Sequence, residues 1–182
     1  MSNSSVKAAL GAALIAFPAL LAAPAEAHIV LETTSAPADS YFQVTFLAPH
    51  GCEGSATTGL TITLPEGTLV AKPQPKPGWQ LEITKKPLPE PVEGPHGALF
   101  EEAVETITWR HGKLPDAQFD AFKIHMRLPA VDQETKLYFP VLQTCEQGTR
   151  NWNEIAEEGG APPASPAPAL TLMPAQNAHH AH

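Results

Sequence analysis

Twenty prolines are distributed along 182 residues, and few stretches between them are long enough for a helix of several turns. Proline lacks a backbone N–H and holds φ near one value, so a chain punctuated this often favours short extended segments joined by turns. Between the prolines, apolar and polar residues alternate with a period of two. Phe42, Val44 and Phe46 share one face of residues 41–47, with Tyr41, Gln43 and Thr45 on the other. Leu60, Ile62 and Leu64 alternate with threonines. Phe122, Ile124, Met126 and Leu128 line one side of residues 120–128, and Leu137, Phe139, Val141 and Cys145 share a side around 136–144. Shorter candidates lie at 29–33, 69–71, 79–84, 104–110 and 150–155, with Trp79 and Trp109 on core-facing positions. Turn-forming residues fill 35–40, 49–55 and 65–67, and proline-rich connections are expected at 72–78 and 87–97. The pattern predicts an all-β protein, an antiparallel β-sandwich of about eight or nine short strands.

The amino terminus has a different composition. One positive charge, Lys7, precedes an apolar stretch over about residues 8–23, and no acidic residue occurs until Glu26. The stretch ends in Ala25-Glu26-Ala27-His28, an A-x-A ending of the kind signal peptidase reads. Residues 1–27 are therefore expected to be a secretory signal peptide, with His28 as the first residue of a periplasmic or secreted mature protein. After residue 23 no apolar run approaches the ~18–20 residues of a membrane span. From Ala156 the composition shifts to Glu, Gly, Ala and Pro, so the domain is placed at 28–156 and a disordered tail at 157–182. Cys52 and Cys145 are the two cysteines, and an even count in an exported chain favours a disulfide between them. The net charge of −8 gives no basic footprint for nucleic acid or anionic lipid.

An N-terminal histidine brings two nitrogens from one residue, the α-amine and the ring Nδ1, which can close a chelate on one metal ion. Nitrogen donors completed by an oxygen suit the tetragonal preference of Cu(II), which also tops the divalent affinity series. Glu53, beside Cys52 in the glycine-rich loop, is the candidate oxygen donor, with Glu66 and Glu32 as competitors. Trp152, flanked by polar residues in Arg150-Asn151-Trp152-Asn153, is either a wall beside a metal or an ordinary core aromatic. His50, His96, His111 and His125 show no metal-ligand spacing and read as ordinary surface histidines. His179, His180 and His182 at the chain end are expected to offer a low-specificity secondary metal site, with an expression tag as the rival explanation. Gly-x-Ser-x-Gly and glycine-rich phosphate loops are absent, so no catalytic residue is assigned and an enzyme is not expected.

These features together resemble the YcnI-like copper-binding proteins of bacteria. The resemblance rests on His28 after the signal, Cys52-Glu53-Gly54-Ser55-x-Thr57-Thr58, Pro65-Glu66-Gly67 and Lys76-Pro77-Gly78-Trp79. It continues through Thr108-Trp109, Phe119-Asp120-x-Phe122, Tyr138-Phe139-Pro140-Val141-x-Gln143-x-Cys145 and Trp152. The resemblance implies a β-sandwich binding one Cu(II) through the amine and ring of His28 plus a glutamate, placed at Glu53, with Trp152 packed close by. It implies a role in copper storage, delivery or resistance, with the copper ion and another copper-handling protein as partners. The competing expectations are a copper-dependent oxidase resembling a polysaccharide monooxygenase, which would need a second histidine at His50, His111 or His125, and a metal-free adhesion or interaction sandwich. The His-ended tail departs from the family pattern.

Overall fold

The computed structural model describes residues 28–157 and 159–174. The expected signal peptide at 1–27 and the histidines His179, His180 and His182 lie outside the described residues. The strands, in chain order, are β1 (Val30–Leu31), β2 (Ser35–Pro37), β3 (Tyr41–Ala48), β4 (Thr57–Thr63), β5 (Ala71–Pro73) and β6 (Gln80–Glu93). They continue with β7 (Leu99–Leu114), β8 (Asp120–Arg127), β9 (Thr135–Tyr138), β10 (Val141–Cys145), β11 (Thr149–Trp152) and β12 (Ala169–Met173).

They form a four-stranded sheet in the order β1-β3-β8-β5, a five-stranded sheet β11-β10-β4-β7-β6, and a three-stranded sheet β2-β12-β9. Neighbours are antiparallel except β12 and β2. The period-two faces meet as expected. Val44, Phe46, Phe122, Ile124 and Met126 from the first sheet share one buried core with Leu60, Ile62, Ile107, Trp109, Val141 and Trp152 from the second. Aromatic edges interlock within it: Phe46 on Phe139 at 5.5 Å and Trp109 on Phe122 at 5.4 Å between ring centres. Each such side chain stabilises the fold by roughly 1.5–3 kcal/mol through removal from water.

Several boundaries differ from the sequence reading. Residues 35–40 are not all turn, since Ser35–Pro37 pairs with β12. The proline-rich stretch after residue 87 is not simply a connection: β6 continues to Glu93. It can do so because β6 is the last strand of its sheet, and a missing N–H on an outer edge removes no ladder bond. Its pairing with β7 is interrupted between Pro87 and Val92. The segment 136–144 is two strands in two sheets, divided at Phe139-Pro140, and the Pro140 carbonyl accepts from Thr63 N at 2.9 Å.

The largest correction concerns the carboxyl-terminal part. The chain from 159 to 174 is folded, and β12 inserts between β2 and β9 with Leu170 and Leu172 fully buried. The domain therefore runs well past residue 156. Leu170 and Leu172 alternate with Thr171, so the strand obeys the same period-two rule as the rest.

Candidate metal centre

His28 lies just before β1, on the edge strand of the four-stranded sheet. The ladder pairs Val30 with Leu47 and Leu31 with Phe46. Continued outward by two residues, that register sets His28 across from Pro49, where the chain leaves β3 for the glycine-rich loop. The start of the domain and the Pro49–Ser55 loop are thus neighbours by strand pairing alone.

The loop is held from several sides. Cys52 and Cys145 form a disulfide, as expected. Cys52 and Ser55 exchange both backbone hydrogen bonds, Cys52 N to Ser55 O at 3.0 Å and the reverse at 2.8 Å. The two residues between them, Glu53 and Gly54, have φ of 50° and 85°. Two successive left-handed residues make a type I′ tight turn, a geometry natural for glycine and unusual for glutamate. Glu53 therefore stands exposed at the tip of a tight hairpin. The Gly51 N–H donates to Asp116 Oδ1 at 3.0 Å.

Trp152, on the β11 edge of the other sheet, is fully buried. It is a core aromatic, and His28 packs against it. The His28 ring meets the indole edge-on, with 5.6 Å between ring centres and planes at 66°. His50 meets the same indole at 6.5 Å and 72°. The Arg150 guanidinium lies over the ring at 4.9 Å. The indole Nε1–H donates to Gln143 Oε1 at 3.0 Å, and the Gln143 amide donates onward to the His50 carbonyl and to Thr57 Oγ1, each at 2.8 Å. Gln143 is itself fully buried, so this network satisfies groups that would otherwise be costly to remove from water.

The sequence reading gave His50 a role only in the rival oxidase and otherwise placed it on the surface, and it gave Gln143 no role of its own. His50 is half-buried against Trp152, not a surface histidine. His96, His111 and His125 are exposed as expected, and His125 stacks on Tyr41 on the outer face of the first sheet. Glu66 lies elsewhere: it pairs with Lys86 of β6, at the opposite edge of the five-stranded sheet from Trp152. Glu32 is exposed beyond β1, following the buried Leu31.

His28 is half-buried, and its Nε2 is sealed from solvent. Nδ1 is also the only ring nitrogen that can close a six-membered chelate with its own α-amine. Among the described residues, no group of three or more His, Cys, Asp and Glu side chains is gathered as a closed metal site. A chelate closed by one histidine would not need such a group, because an N-terminal histidine offers two nitrogens of its own. A cavity of about 200 Å³ opens beside His28 between β1 and the segment entering β12, with Val30, Thr34, Pro166 and Pro168 among its walls. No described helix is long and apolar enough to cross a membrane.

Two packed sheets with a third capping them, bridged by a disulfide and closed at one end by a histidine on a buried tryptophan, define a disulfide-linked β-sandwich of immunoglobulin-like type. Residues 28–172 match the family described as "Domain of unknown function (DUF1775)", the YcnI-like family domain, and the chain belongs to that family. Among solved structures it is similar to one titled "Crystal structure of an uncharacterized protein from Nocardia farcinica reveals an immunoglobulin-like fold". The two are 29% identical with a TM-score of 0.60, over 80% of this chain and 98% of that one. No match is found among curated proteins.

Proposed function

We propose that this is an exported Cu(II)-binding protein that handles copper in the periplasm, by storage, delivery or resistance, and that it is not an enzyme. The observation that carries the reading is the edge-on packing of His28 against the buried Trp152. A histidine at the start of the mature chain would otherwise be free to fray; here it is held in one orientation by a core residue. Chelation by the α-amine and Nδ1 places both nitrogens on Cu(II), and a carboxylate, assigned to Glu53, completes the set. Glu53 is mounted on the loop that the β1–β3 register brings beside His28. The disulfide supports an extracytoplasmic setting, since such bridges persist in oxidising compartments.

Proton competition for the amine and imidazole makes capture pH-dependent in the usual direction for nitrogen ligands. The decisive experiment compares the mature protein beginning at His28 with one carrying a single extra N-terminal residue. Blocking the amine is expected to weaken Cu(II) binding by at least about tenfold, or ~1.4 kcal/mol, and to alter the EPR spectrum. Equal affinity in both forms would move the site to the chain-end histidines and end this reading. The rival enzymatic reading, a copper-dependent oxidase, draws on the proximity of His50. Ascorbate-driven oxygen consumption by the loaded protein above that of free copper would establish it instead.

A further inference from the structure

We propose that the outward face of the four-stranded sheet is a docking surface for a partner protein that presents carboxylates around an apolar side chain. The surface is independent of the copper reading above.

The ladders fix which side chains share that face. Val44, Phe46, Phe122 and Ile124 point into the core, so Tyr41 and Gln43 turn outward with their cross-strand partners Arg127 and His125. Lys123 lies across from Thr45 on the same side, and Lys72, on the edge strand β5, lies across from His125. Towards the other end of the strands the face becomes apolar. Val30, 45% exposed, pairs with Leu47, and Leu47 with Ala121. Phe119, immediately before β8, is 72% exposed, and the register continued by one residue sets it across from Pro49 at that same end. The face is thus divided into a basic half and an apolar half.

Charge singles it out. The chain carries 19 acidic residues against 11 basic ones. Lys76, Lys85, Lys86 and Lys113 each pair with a carboxylate. Lys72, Lys123 and Lys136 have no ion pair among the described residues, and the first two are diagonal neighbours on this face. Two lysines left together without counter-charge on an acidic molecule make a local positive field, which attracts an acidic surface. The acids at its margin are Asp39, engaged by Arg127, and Glu32, beyond β1. Beside the lysines stands an aromatic already set in place: His125 stacks on Tyr41 at 5.5 Å with planes 5° apart, and the Arg127 guanidinium lies over the same ring at 5.3 Å. A ring held by two neighbours yet 45% exposed loses little freedom on docking, and tyrosine and arginine are residues on which interfaces concentrate their affinity. A long polyanion or an anionic membrane would extend past this face and meet the net charge of −8, whereas the acidic patch of a protein can match the face in extent.

The test uses the metal-free mature chain, isotope-labelled, with short poly-L-glutamate as the probe and amide NMR shifts as the readout. Shift changes are expected to gather on β3, β5 and β8 and to fade as salt is added. Affinity should fall at least about tenfold in the double variant Lys72→Glu with Lys123→Glu, and about fivefold in Tyr41→Ser. The control Lys136→Glu, on β9, should stay within about twofold of wild type. A phenylalanine at the centre of the probe should tighten binding about fivefold, a gain that Phe119→Ser removes. Circular dichroism checks that each variant is folded. No binding by the wild type, shifts gathered elsewhere, equal binding by the folded double variant, or no gain from the phenylalanine would overturn the proposal. Retention on phosphatidylglycerol vesicles without any response to polyglutamate would also overturn it, and would give the face to a membrane.

Discussion

At the β11 edge of the five-stranded sheet the chain is tied by a disulfide, a buried glutamine bonding three partners and a tryptophan that two histidines and an arginine surround. At the β6 edge the same sheet runs out as a long hairpin whose β6 side chains are almost all exposed, among them Leu81, Ile83 and Val92. Its cross-strand ion pairs, Lys85–Glu102 and Arg110–Glu82, join exposed groups at 3.4 and 3.3 Å. Such pairs contribute between about zero and 1 kcal/mol each. The prolines at 87, 89 and 91 leave β6 without donors along part of its length, which discourages another strand from adding to it. One edge is thus over-determined and the other held by its ladder and a few exposed ion pairs, as expected if position matters at the first and only solubility at the second.

The sharpest way to break this contrast is to cut the bridge. Replacing both cysteines by serine, Cys52→Ser with Cys145→Ser, opens a closure spanning 93 residues. The chain-entropy treatment puts the expected loss at about 4–5 kcal/mol, read as a lower urea midpoint. A much smaller loss would mean that the Gln143 network alone fixes the loop. Next in size is Gln143→Leu, which removes the partner of the buried Trp152 N–H and takes one partner from the Thr57 hydroxyl and the half-buried His50 carbonyl. Chemical denaturation should report a cost of about 1–3 kcal/mol. The smallest effect belongs to the other edge, where Ile83→Thr should change stability by no more than about 0.5 kcal/mol. A loss of several kcal/mol there would show that the hairpin is covered in solution, and the two edges would no longer differ in kind.

The sandwich was legible because its longer strands alternate cleanly, and their inner residues, from Val44 to Met126, are the ones buried. The site was legible in half. His28 and Trp152 stand out in the sequence, and the fold brings them together. The packing of His50 against Trp152 was hidden because it is non-local: it depends on strand register across β1 and β3 and on an indole about a hundred residues further along the chain. Gln143 sits on the apolar side of its strand, a buried polar residue among Val141 and Cys145, and that break in the pattern was the available signal. The final strand was obscured by its surroundings. Ala- and Pro-rich composition before residue 169 suggested an unfolded tail, and five residues of alternation are easily overlooked inside it.

The placement of β12 has a consequence for how the molecule assembles. Leu172 aligns with Ala36, and the Thr171 N–H donates to the carbonyl of Thr34, so the last strand among the described residues zips against one of the first. A nascent chain lacks that partner, so β2 has no ladder to join until β12 has been made. Non-local closure of this kind is slow, so the β2–β12–β9 sheet is expected to be among the last parts of the domain to form.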